Sequence, residues 1–238
     1  MVSHFGEVVY PVSRAFWGEE DELEDLHLKT KVTPQWLDDI PEKITRLLIV
    51  EGSIVNEFIN ESYCRTAKTV CIINNEKAIS IATLYKYNVD LYVLLISSEF
   101  DLKYTGAFIK EIADILSNTY NIILINSYHI SQFKGIDASE KLSFLRSLRT
   151  KNAGKEDYIE IKSLEQPNIV HGIAAGVLTY AEIMNLSAVL YILYADSFTL
   201  DSVNAEPLIR LFSNLMPFAN TEFNFGKDKF FSKGNLYM

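Results

Sequence analysis

The sequence predicts an α/β protein: a mainly parallel central sheet with helices on both faces, a Rossmann-like three-layer sandwich. Three observations carry that expectation. Short, continuous apolar runs recur along the chain, and strands buried on both faces lose the apolar–polar alternation of a half-exposed sheet. One strand, one helix and a further strand follow in that order between residues 91 and 126, as in a parallel crossover. The length of 238 residues and an apolar content of 48% suffice for one large core.

Regular structure is expected from about Arg46. Leu47-Leu48-Ile49-Val50 is an apolar run that closes at Gly52 and suits a buried strand. Thr69 to Ile73 is a second run, closed by the turn-forming pair Asn74-Asn75, and Ala78 to Leu84 alternates loosely and can pair with it. Leu91 to Ile96 reads as another central strand. In the next segment Phe108, Ile112, Ile115 and Leu116 share one helical face, while Lys110, Glu111 and Asp114 share the other. Ile122 to Ile125 is again a strand. Expected strands therefore lie near 47–51, 69–73, 91–96, 122–126 and 188–194.

The stretch 139–149 places Leu142, Leu145 and Leu148 three apart, which predicts a short helix with Arg146 and Arg149 outward. His171 to Met184 is helical in pattern. Gly172 and Gly176 interrupt it at about 1 kcal/mol each relative to alanine, a cost that close packing often explains. A last helix carries Leu208, Leu211, Phe212 and Leu215 on one face, with Pro207 expected in its first turn, where a missing N–H is harmless. Residues 1–219 are read as a single domain with a mobile acidic segment near 18–30, because Glu19-Glu20-Asp21-Glu22 and the acids after them repel one another. Residues 220–238 are read as a flexible docking tail.

Charge and cysteine usage narrow the function. The formal net charge is −9, and no basic stripe is present, so nucleic acid and anionic membranes are poor partners. Cys64 and Cys71 do not form a disulfide framework, which favours reduced thiols and a cytoplasmic or nuclear location. The start lacks a signal-peptide pattern, and the longest apolar run, Ala188 to Ala195, is far short of the about 20 residues that cross a bilayer.

Chemistry-bearing motifs are missing. Neither a dinucleotide-binding nor a P-loop glycine pattern is present, and no nucleophile elbow. His4, His27, His129 and His171 are too scattered for a metal signature. His171, at a helix start, reads as structural or capping rather than as a base, because no nucleophile or orienting group stands near it in sequence. Glu51, at a strand end, is a candidate acid without a visible mate. The chain's end is unusual in being apolar: Asn235-Leu236-Tyr237-Met238, with Phe230 and Phe231 upstream, reads as a segment that docks elsewhere.

Several stretches together resemble the proteasome assembly chaperone 1 family. They are Phe5-Gly6-Glu7-Val8-Val9 with its acidic tract, Phe144 to Asn152, Leu164-Glu165-Gln166-Pro167-Asn168-Ile169-Val170-His171 followed by Ala188-Val189-Leu190-Tyr191, and the final Leu236-Tyr237-Met238. Residues 53–135 follow the family only in their strand and helix pattern. The resemblance implies a chaperone for the proteasome core particle. It would pair with proteasome assembly chaperone 2, promote the α-ring and block unproductive association of α-subunits. Leu236, Tyr237 and Met238 would form a hydrophobic–tyrosine–any-residue motif that enters a pocket between α-subunits. No catalytic, cofactor or metal site is implied. The rival expectation is a small-molecule enzyme on the same scaffold, because such scaffolds host many functions.

Overall fold

The computed structural model describes residues 30–64, 67–135, 142–154 and 161–215. The chain divides into two units, Met1–Thr30 and Lys31–Met238, and the described elements belong to the second. Among the described residues the strands are β1 (Val32–Trp36), β2 (Ile44–Glu51), β3 (Lys68–Asn75), β4 (Ser80–Lys86), β5 (Leu91–Ile96), β6 (Thr119–His129), β7 (Ser143–Arg149) and β8 (Ala188–Ala195). The α-helices among the described residues are α1 (Ser53–Ile59), which runs on into a π-helical turn at Asn60–Cys64, α2 (Thr105–Ser117), α3 (Gly172–Ile183) and α4 (Ser202–Leu215).

The strands form one sheet in the order β1-β3-β4-β5-β2-β6-β8-β7. All five expected strands are present. The expectation of a mainly parallel sheet needs correction. The pairings β5–β2, β2–β6 and β6–β8 are parallel, but β1–β3, β3–β4, β4–β5 and β7–β8 are antiparallel. The continuous apolar runs report the parallel centre faithfully. They carry no information on the strands hung antiparallel at either side.

Two cores lie on opposite faces, and successive side chains alternate between them. Leu47 and Ile49 of β2 face the first core, with Phe108, Ile112 and Leu116 of α2 and Ile173, Val177 and Ala181 of α3. Leu48 and Val50 face the second, with Val55 and Phe58 of α1 and Leu208, Leu211 and Phe212 of α4. The rings of Phe58 and Phe212 are 5.2 Å apart. Gly176 lets α3 approach α2 closely, since a Cβ there would collide with Cδ1 of Ile109.

The short helix expected at 139–149 is instead the edge strand β7. Spacing by threes suits a helix, yet in the strand Phe144, Arg146 and Leu148 share one face and Leu145 packs on the other. Pairing with the fully buried β8 overrides the local pattern. Arg146, expected outward, is 5% exposed. Its guanidinium lies 5.0 Å from the ring of Phe133 and 4.6 Å from that of Phe144, and its Nε is 3.9 Å from Glu165.

Pro207 is another correction, because it lies inside α4 beyond the first turn. Its missing N–H leaves the carbonyl of Val203 without its helical donor. Ser143 Oγ of β7 donates to that carbonyl at 2.8 Å, so the sheet repairs the helix. Asp201 caps α4, its carboxylate accepting from the N–H groups of Val203 and Asn204 at 2.9 and 2.8 Å.

Candidate functional site

In an α/β sheet, ligands settle in the crevice outside the carboxyl ends of parallel strands, where the chain turns off to opposite faces. Here that place is the end of β2. Glu51 is its last residue, and the register sets it beside Asn126 of β6. α3 starts directly above.

The carboxylate of Glu51 turns into the start of α3. Its Oε1 accepts from Ile173 N–H at 3.1 Å and its Oε2 from Ala174 N–H at 2.9 Å. Asn126 Nδ2 donates to Oε2 at 3.0 Å. These are the amide groups that a helix start leaves unpaired, and that favour an anion. Burial pushes the Glu51 carboxyl above its ordinary range, against the pull of the two backbone donors and of His171.

Gly172 makes the approach possible. Its φ is +83°, and a Cβ there would collide with Oε1 of Glu51. Tyr128 completes the fastening. Its hydroxyl donates to the carbonyl of His171 at 2.9 Å and accepts from the N–H of His171 at 3.2 Å. Burial pushes the Tyr128 hydroxyl up to about 12, so it keeps its proton at neutral pH. The ring of His171 lies 4.6 Å from that of Tyr128.

His171 therefore is structural through its backbone, while its side chain makes no capping bond. The cap comes from Glu51, over a hundred residues earlier. Glu51 does have mates, and they are donors rather than a nucleophile. The place where this architecture would seat a ligand's phosphate or carboxylate is filled by the chain's own side chain.

On the other side of β2 the crevice is open. A groove of about 610 Å³ runs between α1 and β4–β5, lined among others by Ser53, Asn56, Glu57, Thr83, Tyr85 and Ser97. Asn56 is fixed there, its Nδ2 donating to the carbonyl of Ile96 at 2.7 Å.

The remaining candidates can be placed briefly. Cys64 and Cys71 are both free, and burial pushes each thiol up to about 11, so neither is a thiolate at neutral pH. His129 bonds Ser131 and the carbonyl of Asp196 and stacks on Phe198. Among the described residues no group of three or more His, Cys, Asp or Glu could hold a metal, and no helix is long and apolar enough to cross a membrane. His4, His27, the acidic segment and Leu236, Tyr237 and Met238 lie outside the described residues.

Comparison with known proteins sets this geometry in a family. The PAC1 family model, described as Proteasome assembly chaperone 4, matches residues 52–225. Proteasome assembly chaperone 1 of Mus musculus is 37% identical over 95 residues, covering 39% of this chain and 32% of that protein. The Homo sapiens protein of the same name is 36% identical over 87 residues, covering 36% and 30%. The matched stretch is thus about a third of either relative's length. Among solved structures, Pyrococcus furiosus PbaA, an archaeal homolog of proteasome-assembly chaperone, superposes with a TM-score of 0.58 at 12% identity, over 79% of this chain and 86% of that one. PbaB of the same organism, an archaeal proteasome activator, gives 0.57 at 9% identity, over 79% and 89%. At these identities the structures share the fold.

Proposed function

Since this chain belongs to the PAC1 family of proteasome assembly chaperones, we propose that it helps to build the α-ring of the proteasome core particle. It acts as one half of a heterodimer with a proteasome assembly chaperone 2 chain, in the cytoplasm or nucleus, and keeps α-subunits from unproductive association. The family match over residues 52–225 carries this reading. The resemblance at Leu164 to His171 and at the tail supports it. The rival reading, a small-molecule enzyme, would have to use the open groove beside α1, because Glu51 occupies the start of α3.

The tail supplies the contact with the ring. Burying Leu236 is worth about 1.5–3 kcal/mol. Tyr237 adds apolar area and a hydroxyl that must find a partner once buried. A charge-assisted bond to the terminal carboxylate after Met238 adds roughly 1.5–3 kcal/mol. Ordering the backbone costs about 1–2 kcal/mol per residue, so the tail alone binds weakly. Joined to the domain's other contacts and to a partner's tail, it gains effective concentration and becomes an anchor.

Deleting Leu236, Tyr237 and Met238 is expected to weaken binding of the heterodimer to α-ring intermediates at least about tenfold by surface plasmon resonance. Melting temperature and heterodimer formation should not change. Equal affinity of truncated and full-length heterodimers would remove the tail from the mechanism.

A further inference from the structure

The groove beside α1 lies where the sheet changes the side on which its helices pack. β2 and β5 are parallel neighbours. β2 runs into α1, which packs on the second core, and β5 runs through residues 97–104 into α2, which packs on the first. A crevice opens outside the carboxyl ends of two strands whose connections part in this way, and ligands of α/β sheets settle there. At about 610 Å³ it has room for a small ligand or for one long side chain.

Its lining is rich in acceptors. Asn56 keeps its Nδ2 on the carbonyl of Ile96, which fixes the amide, because turning it over would set oxygen against oxygen. Asn56 Oδ1 is thereby left buried and, among the described residues, without a hydrogen-bond donor. Buried acceptors are rarely left so. The next residue, Glu57, lines the groove with an exposed carboxylate that no base among the described residues pairs. Ser53 donates its hydroxyl proton to the carbonyl of Phe198, so its lone pairs remain for a ligand. Thr83 and the aromatic side chain of Tyr85 line the side formed by β4. Among the described residues no Lys or Arg lines the groove.

This set disfavours an anion and favours a cation that donates hydrogen bonds. A carboxylate beside an unmatched amide oxygen suits a charged donor. An aromatic ring attracts the same cation through its face. A planar guanidinium suits the groove better than a compact ammonium. Its donors fork to several acceptors at once, it sheds water more readily, and it stacks on aromatic rings.

We propose that the groove is a guanidinium-binding site, with Asn56 Oδ1 and the Glu57 carboxylate as acceptors and Tyr85 as the aromatic wall. The guanidinium belongs either to an arginine side chain of a protein partner or to a free guanidino compound.

The test titrates n-butylguanidinium into the full-length chain and follows the Asn56 side-chain amide by nuclear magnetic resonance. Saturable binding in the millimolar range is expected, about tenfold tighter than that of n-butylurea, which keeps the planar fork and lacks the charge. Glu57→Gln should weaken binding about two- to fivefold, and Glu57→Lys should abolish it. Both variants should keep the wild-type melting temperature, because Glu57 is exposed. Repeating the titration on the heterodimer co-purified with a proteasome assembly chaperone 2 chain separates the two sources. Binding that is lost there, and recovered when one partner arginine is replaced by glutamine, assigns the groove to that side chain. Binding that persists assigns it to a free guanidino compound. Shifts that do not saturate, equal binding of n-butylurea, or wild-type affinity in Glu57→Lys would overturn the proposal. So would a loss in the heterodimer that no arginine replacement restores. Binding that appears only after Arg65→Gln would overturn it as well, because the chain's own guanidinium would then fill the groove.

Discussion

Gly172→Ala is expected to destabilise the fold by about 3 kcal/mol. Two costs add. Alanine at a φ of +83° pays about 1–2 kcal/mol for left-handed backbone. Its Cβ also collides with the Glu51 carboxylate, which must retreat from the N–H groups of Ile173 and Ala174. Weakening those bonds costs about 1–2 kcal/mol more. For a domain of this size the melting temperature should fall by roughly 6–12 °C. A loss under about 1 kcal/mol would show that the start of α3 shifts without penalty, and that Glu51 does not fasten it.

Glu51→Ala is expected to cost about 2–3 kcal/mol at neutral pH, since it strands the buried N–H groups of Ile173 and Ala174 and takes from Asn126 Nδ2 one of its two acceptors, leaving the Tyr128 hydroxyl. Combining it with Gly172→Ala gives a sharper result. The collision vanishes with the carboxylate, so the double variant should be about 1–2 kcal/mol more stable than the summed single losses imply. Strict additivity in urea melts would mean the two side chains are not coupled.

Glu51 also sets a pH dependence. Its folded pKa is raised by burial, so the folded state holds the proton more tightly than the unfolded one. The stabilisation from that proton is full below the unfolded value of about 4.3 and is lost as pH rises through the folded pKa. Glu51→Gln should remove this decline from the stability–pH curve. A decline of the same size in that variant would assign it to another group.

Most of the fold was legible because the central strands are buried on both faces. Leu47 to Val50, Leu91 to Ile96 and Val189 to Tyr194 are apolar without a break, and that pattern has few readings. β7 was not legible. Its leucines fall at a helical spacing, and Arg146 reads as a surface residue until its guanidinium is seen against the rings of Phe133 and Phe144. Strand direction was hidden for the same reason at both ends of the sheet, since an apolar run does not record which neighbour it pairs with.

The fastening at Glu51 was half visible. Glu51-Gly52 at a strand end and His171-Gly172 at a helix start each looked incomplete. Nothing local announces that one completes the other across 122 residues. His171 drew attention as the ionisable group of its segment, yet its backbone and the glycine after it do the structural job.

The central claim is that this chain assists assembly of the proteasome α-ring, and reconstitution tests it most directly. Purified α-subunits would be mixed with the co-purified heterodimer, with the heterodimer lacking Leu236, Tyr237 and Met238, or with neither. The yield of closed α-rings would be followed by native mass spectrometry. The account predicts more rings and fewer off-pathway oligomers with the full-length heterodimer, and a smaller gain with the truncated one. Equal ring yield with and without the full-length heterodimer would contradict it.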